Sequence, residues 1–178
     1  MRYEHVETIA DSKANRAPEH FPVDPHQVEN DVRALYDAGQ GRAGTDEIAF
    51  CGIIFNRSDA AIRQIATAYK HHHRRSLDSS IQAEFSGHMQ HALLYVVQGA
   101  LDPMVRDARL IDAAMEGAGT KDERLMYRIV RAYWRGGQPY IQGVKAAYQN
   151  KYHHNLIKRV KGETSGDQEK LLVAILEG

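Results

Sequence analysis

Apolar residues along this chain return every three or four positions, and no stretch of useful length alternates with a period of two. That spacing places a stripe on one face of a helix and argues against a sheet. Asp24 reads as an N-cap, with Pro25 at the first helical position and Gln27 closing a capping box. Val28, Val32, Leu35 and Tyr36 then share a face until Gly39 ends the helix. A second helix is predicted from about Asp46 to Asn56, burying Phe50, Ile53 and Ile54. Ser58 caps a third, striped by Ile62, Ile65, Ala66 and Tyr69, and Ser76 opens a short fourth with Leu77 and Ile81. A fifth carries Leu93, Leu94, Val96 and Val97 and stops by Asp102-Pro103.

The same five segments then recur. Asp102 and Pro103 start a helix with Val105, Ala108, Ile111 and Met115 on one face. Thr120 and Glu123 form a capping box for the next, which holds Leu125, Met126, Ile129 and Val130. Pro139 starts a third, Asn155 a short fourth, and the last buries Leu171, Leu172, Ile175 and Leu176. Thr45 and Thr120, Phe50 and Leu125, and Ile54 and Ile129 are each 75 residues apart. Ile62 and Ile141, Tyr69 and Tyr148, and Glu84 and Glu163 are each 79 apart. The offset slips once, by four residues, so an insertion lies near Trp134-Arg135-Gly136-Gly137-Gln138-Pro139. Internal repetition of this kind sets the architecture: the predicted fold is all-α, two repeats of about five helices each.

Composition narrows the function. Twenty-three basic residues balance 23 acidic ones, so no global field draws the chain to nucleic acid. The single cysteine, Cys51, excludes an internal disulfide and fits a reducing compartment; it falls on an apolar helical face and reads as packing. No run of about 18 apolar residues is present to span a bilayer, and Met1-Arg2-Tyr3-Glu4-His5 lacks an apolar signal core. The expectation is a cytoplasmic protein. There is no nucleophile elbow, phosphate-binding lysine loop or His-Glu-Xaa-Xaa-His, so no enzyme is predicted. Lys70-His71-His72-His73-Arg74-Arg75 reads as a solvated linker between the third and fourth helices, and His153-His154 likewise. Trp134 reads as packing at the insertion or, if exposed, as a partner contact.

What remains is a chemistry of turns. Gly41-Arg42-Ala43-Gly44-Thr45 and Met115-Glu116-Gly117-Ala118-Gly119-Thr120 join first and second helices, while Glu84 and Glu163 stand in the turns between fourth and fifth. Glycine turns can aim backbone carbonyls outward. Three carbonyls and a bidentate carboxylate give five oxygens, most of the shell of about 6–8 that calcium takes. The plainer readings are that the glycines are helix C-caps and that Glu163 favours the N-terminus of the next helix.

These turns resemble the annexin calcium signature, Gly-Xaa-Gly-Thr followed after 38 residues by an acidic residue. Here 38 residues separate Thr45 from Glu84, and 42 separate Thr120 from Glu163, the insertion supplying the excess. Ala34-Leu35-Tyr36-Asp37-Ala38-Gly39, Gly44-Thr45-Asp46-Glu47 and Gly162-Glu163-Thr164-Ser165-Gly166-Asp167 match further. The resemblance divides the chain into an N-terminal helix remnant with linker (1–21) and annexin-like repeats at 22–101 and 102–178. They resemble the third and fourth of the usual four, since Ala14-Asn15-Arg16 and the linker after it are similar to the family's middle connector.

The resemblance implies Ca²⁺ held by the carbonyls of Gly39, Arg42 and Gly44 with Glu84, and by those of Met115, Gly117 and Gly119 with Glu163. It implies peripheral, calcium-dependent binding to anionic phospholipid membranes, with avidity across weak sites setting the affinity. Ala43 at one loop tip offers no wedge into headgroups, and Glu116 adds negative charge at the other. The second site, with the tighter glycine turn, is expected to bind more strongly. An edge left by absent repeats is expected to promote self-association. The alternatives are a calcium-independent helical scaffold and, less favoured, RNA or cytoskeleton binding through Lys70–Arg75.

Overall fold

The computed structural model describes residues 18–41, 43–116 and 122–178. All regular structure among them is helical, and the chain divides into two compact units, Met1–Leu101 and Asp102–Gly178. The expected N-terminal helix remnant lies outside the described residues.

In the first unit α1 (Pro25–Ala38), α2 (Glu47–Asn56), α3 (Asp59–His73), α4 (Leu77–Glu84) and α5 (Gly87–Leu101) follow one another. Each of the first four starts on a side-chain cap. Asp24 accepts from the His26 N–H, Asp46 from Ala49, Ser58 from Ala61 and Ser76 from Ser79, relieving N–H groups that have no partner in the first turn. Gln27 does not close a box. Its Nε2 donates to Asp31 Oδ1 at 2.9 Å, because Asp31 is already drawn inward by Arg57, whose guanidinium grips both carboxylate oxygens at 2.5 and 2.9 Å. Helix α3 packs against both α1 and α5, and α2 against α1 and α5. The predicted stripe supplies the core: Val28, Val32, Leu35, Phe50, Ile54, Ile62, Ile65 and Tyr69 are all buried.

The second unit contains α6 (Pro103–Met115), α7 (Asp122–Tyr152), α8 (Leu156–Glu163) and α9 (Gly166–Glu177). Helix α7 is two helices fused at a kink, where Gly136 and Gly137 leave helical geometry and Gly137 has φ 61°. Its arms, 122–135 and 138–152, are the second and third helices of the repeat. With the 75-residue offset, α2 corresponds to 122–131, so the four inserted residues add about one turn to the first arm. This extra turn carries Trp134 into solvent, 81% exposed, rather than packing it. Asp102 and Asn155 cap α6 and α8 as expected. Thr120, expected to cap α7, lies outside the described residues. Leu172 and Leu176 are buried, but Leu171 and Met126 are both exposed, since one helical face cannot turn every neighbouring apolar residue inward.

Lys70 to His73 form the last turn of α3 rather than a linker, and Arg74 ends it in the left-handed region at φ 53°. Cationic side chains are favoured at a helix C-terminus. His73 stacks on Tyr36 with ring centroids 4.1 Å apart, and His72 Nε2 meets Glu29 at 3.0 Å.

Residues paired by the repeat occupy matching places in the two cores: Phe50 and Leu125, Ile54 and Ile129, Ile62 and Ile141, and Tyr69 and Tyr148 are all buried. Tyr148 donates its hydroxyl to Asp112 at 2.6 Å and Tyr140 donates to Asp107 at 2.7 Å. Burial first, and then these carboxylates, raise both tyrosines above the ordinary range, and Tyr152 is pushed up to about 12 by burial and then Asp112. A raised folded-state pKa gives stability that is complete below the unfolded tyrosine value of about 10 and is lost as pH rises above it. The second unit is therefore expected to weaken in alkali. Tyr148→Phe should flatten the decline above pH 10 by up to about 1.4 kcal/mol per pH unit, measured by denaturant unfolding across pH 8–12.

Candidate metal centres

Helix α1 ends where its chain turns back on itself. The Gly39 N–H donates to the Leu35 and Tyr36 carbonyls, Gly41 N–H donates to Tyr36 at 2.8 Å, and Asp46 N–H donates to the Ala38 carbonyl at 2.7 Å. The last bond closes the loop between α1 and α2. A Cβ at Gly41 would lie 3.0 Å from Asp37 Cα and 3.1 Å from the Tyr36 carbonyl oxygen, so only glycine fits that approach. Gly44, at φ 82°, stands in the left-handed region that glycine enters without strain.

Glu84 arrives from the other side, as the last residue of α4. The next residue, Phe85, is buried, with its ring 4.9 Å from that of Phe50, which fixes the turn to the core. The Glu84 carboxylate is half-buried and accepts the Thr45 hydroxyl at 2.9 Å. Its Cγ lies 3.4 Å from where a Gly39 Cβ would be. Of the residues expected at the first site, Gly39 and Glu84 lie side by side and Gly44 precedes the Thr45 whose hydroxyl Glu84 accepts; Arg42 lies outside the described residues. Gln40 is the counterpart of Met115 under the 75-residue offset, a signal available in the sequence that pairing by glycines alone passes over; its side chain lies at 3.5 Å from the Tyr69 hydroxyl.

At the second site Gly117 and Gly119 lie outside the described residues. Met115 ends α6 and Glu163 ends α8, and the two are brought together through a third residue. The Arg159 guanidinium donates Nη2 to the Met115 carbonyl at 3.1 Å and meets Glu163 Oε1 through Nη1 at 2.6 Å. Its sequence signal is the i,i+4 spacing to Glu163. In the first unit the corresponding position, four residues before Glu84, is the buried Ser80.

A carboxylate beside a glycine loop is oxygen chemistry that suits a hard cation such as calcium at the first site. Among the described residues no group of three or more His, Cys, Asp and Glu side chains could hold a metal, so an ion here would draw its further oxygens from the backbone or from amide and hydroxyl side chains. Cys51 is half-buried, its Sγ 3.3 Å from Met89 Sδ, and burial followed by the charge of Glu47 pushes its thiol pKa up. A thiol held protonated is a poor nucleophile.

Each unit is a run of five helical segments with a glycine loop after the first and a glutamate ending the fourth. This is a tandem helical repeat protein whose interhelical turns carry oxygen donors. The annexin family model matches residues 30–96 and 106–175, and the chain belongs to the annexin family, which is known for calcium-dependent phospholipid binding. It is 48% identical to annexin C1 of Cryptococcus neoformans var. grubii over 156 residues, covering 85% of this chain and 33% of that protein. Human annexin A13 is 38% identical over 154 residues, covering 86% and 48%. Among solved structures, annexin III aligns with a TM-score of 0.82 at 28% identity, over 97% of this chain and 52% of that one. The chain thus spans about a third to a half of the relatives it matches.

Proposed function

We propose that this chain binds anionic phospholipid membranes peripherally and in a calcium-dependent manner, through the first-repeat loop and Glu84. The observation that carries this reading is the convergence of Thr45, Gly39 and Glu84 on one turn. Calcium, when bound, supplies the positive charge that a lipid phosphate needs. Glu84 is the charged ligand, Thr45 orients its carboxylate, and the carbonyls of Arg42 and Gly44 complete the protein's share with that of Gln40, the counterpart of Met115, taken in place of the expected Gly39. A single carboxylate keeps the site open and weak, so lipid and calcium assist each other's binding. At resting calcium the protein is free in the cytoplasm. Liposome cosedimentation with phosphatidylserine vesicles tests the proposal: binding that needs calcium and reverses with chelator supports it, and calcium-independent binding sinks it.

The loop tip at Ala43 carries no wedge, but Ile48 does. It lies in the first turn of α2, three residues after Thr45, and is 88% exposed; Met89, at the start of α5, is also exposed. An isoleucine held in water beside a headgroup site gains by entering the interfacial region. Ile48→Asp is expected to weaken vesicle binding about tenfold at fixed calcium, from lost burial and added repulsion. Calcium affinity without lipid should hardly change, as read by titration calorimetry.

A further inference from the structure

We propose that Arg159 is a resident cation of the second repeat, standing in for calcium between Met115 and Glu163. One guanidinium joins the carbonyl at the end of α6 to the carboxylate at the end of α8, through Nη2 at 3.1 Å and Nη1 at 2.6 Å. These are the two described groups through which the second repeat would hold an ion. A guanidinium presents several N–H donors in a fixed fork and keeps its charge at any physiological pH. It therefore satisfies a helix-end carbonyl and a carboxylate together, as a metal would. The first repeat has Ser80 at the corresponding position, buried, and its glutamate accepts the neutral hydroxyl of Thr45. The two repeats thus differ in kind: one offers its carboxylate to an incoming ion, the other has supplied its own cation. Calcium at the second repeat must displace Arg159 and then lie near its positive charge. The expected ranking is accordingly the reverse of the one drawn from the glycine turn, with the Glu84 site the stronger.

This inference assumes that the second loop and Glu163 are a calcium site in type, but not that the first site works. The test is calcium titration of the full chain by calorimetry, comparing wild type, Arg159→Met, Glu163→Gln, Glu84→Gln and the pair Arg159→Met with Glu163→Gln. Arg159→Met keeps the aliphatic length and removes the charge and the fork. It is expected to strengthen a calcium phase by about tenfold or more, and that gain should vanish when Glu163→Gln is added. In wild type, Glu163→Gln should barely alter the isotherm. Arg159→Lys, which keeps charge but not the two-point grip, should fall between. Circular dichroism without calcium confirms that each variant is folded; should Arg159→Met unfold, Arg159→Gln takes its place in the titration. An Arg159→Met isotherm matching wild type overturns the proposal, as does a wild-type high-affinity phase that depends on Glu163. Loss of all wild-type calcium binding with Glu84→Gln concerns the first site alone. Absence of wild-type calcium binding alongside a Glu163-dependent gain in Arg159→Met would refute the proposed function and support this inference.

Discussion

Glu84→Gln is expected to abolish calcium-dependent vesicle binding while leaving helicity unchanged. The substitution keeps the shape of the side chain, and an amide oxygen can still accept the Thr45 hydroxyl that now lies 2.9 Å from the carboxylate. What disappears is the negative charge. At about 2.4 Å, the usual calcium–oxygen distance, a unit charge facing a divalent ion is worth about 3 kcal/mol even at the dielectric constant of water. The calcium requirement should rise by roughly 100-fold, beyond the range in which lipid binding is seen. Cosedimentation across a calcium series, with far-ultraviolet circular dichroism as control, measures it. Sedimentation like that of wild type would favour a calcium-independent scaffold.

The second large effect is on stability. Phe50 is fully buried between α2 and the turn after α4, its ring tilted 60° against Phe85 at 4.9 Å. Removing such a ring loses its transfer free energy and leaves a cavity that the helices close only in part, so Phe50→Ala should cost about 3–5 kcal/mol. Phe85 follows Glu84 directly, and a slack ring there releases the carboxylate from its turn. Phe50→Ala is thus expected to lower the unfolding midpoint in urea and also to weaken calcium binding in the fraction that remains folded. Phe50→Leu should recover most of both. Weak stability with undiminished calcium affinity would separate the core from the site.

The helices were legible because their signals are local: an N-cap at Asp24, Ser58, Ser76, Asp102 or Asn155, followed by apolar residues at helical spacing. Repetition supplies what local signals lack: the change of offset from 75 to 79 places an insertion near Trp134–Pro139, the segment in which α7 kinks at Gly136 and Gly137. Side-chain partnerships were another matter. Gln27 is readable as a box partner by spacing, yet Asp31 competes for it, and Asp31 is held by Arg57 from the turn after α2. The basic run at Lys70 looked like a linker because polarity marks solvent, not the absence of helix. Arg159 was invisible as a ligand substitute for the same reason. Its pairing with Glu163 follows from helical spacing, but its reach to the Met115 carbonyl depends on how α6 and α8 meet.

The inserted turn of α7 also has an optical consequence. The chain's one tryptophan, Trp134, stands 81% exposed on that turn, while nine tyrosines are distributed through the rest of the sequence. Its emission in the native protein should already be red-shifted and open to iodide quenching, much as in urea. Unfolding of either unit should therefore pass almost unseen in tryptophan fluorescence, though it will be plain in circular dichroism. The same indole becomes a clean reporter of contact: a blue shift or loss of quenching on adding vesicles or raising protein concentration would signal that something has covered the extra turn, with no contribution from the core to subtract.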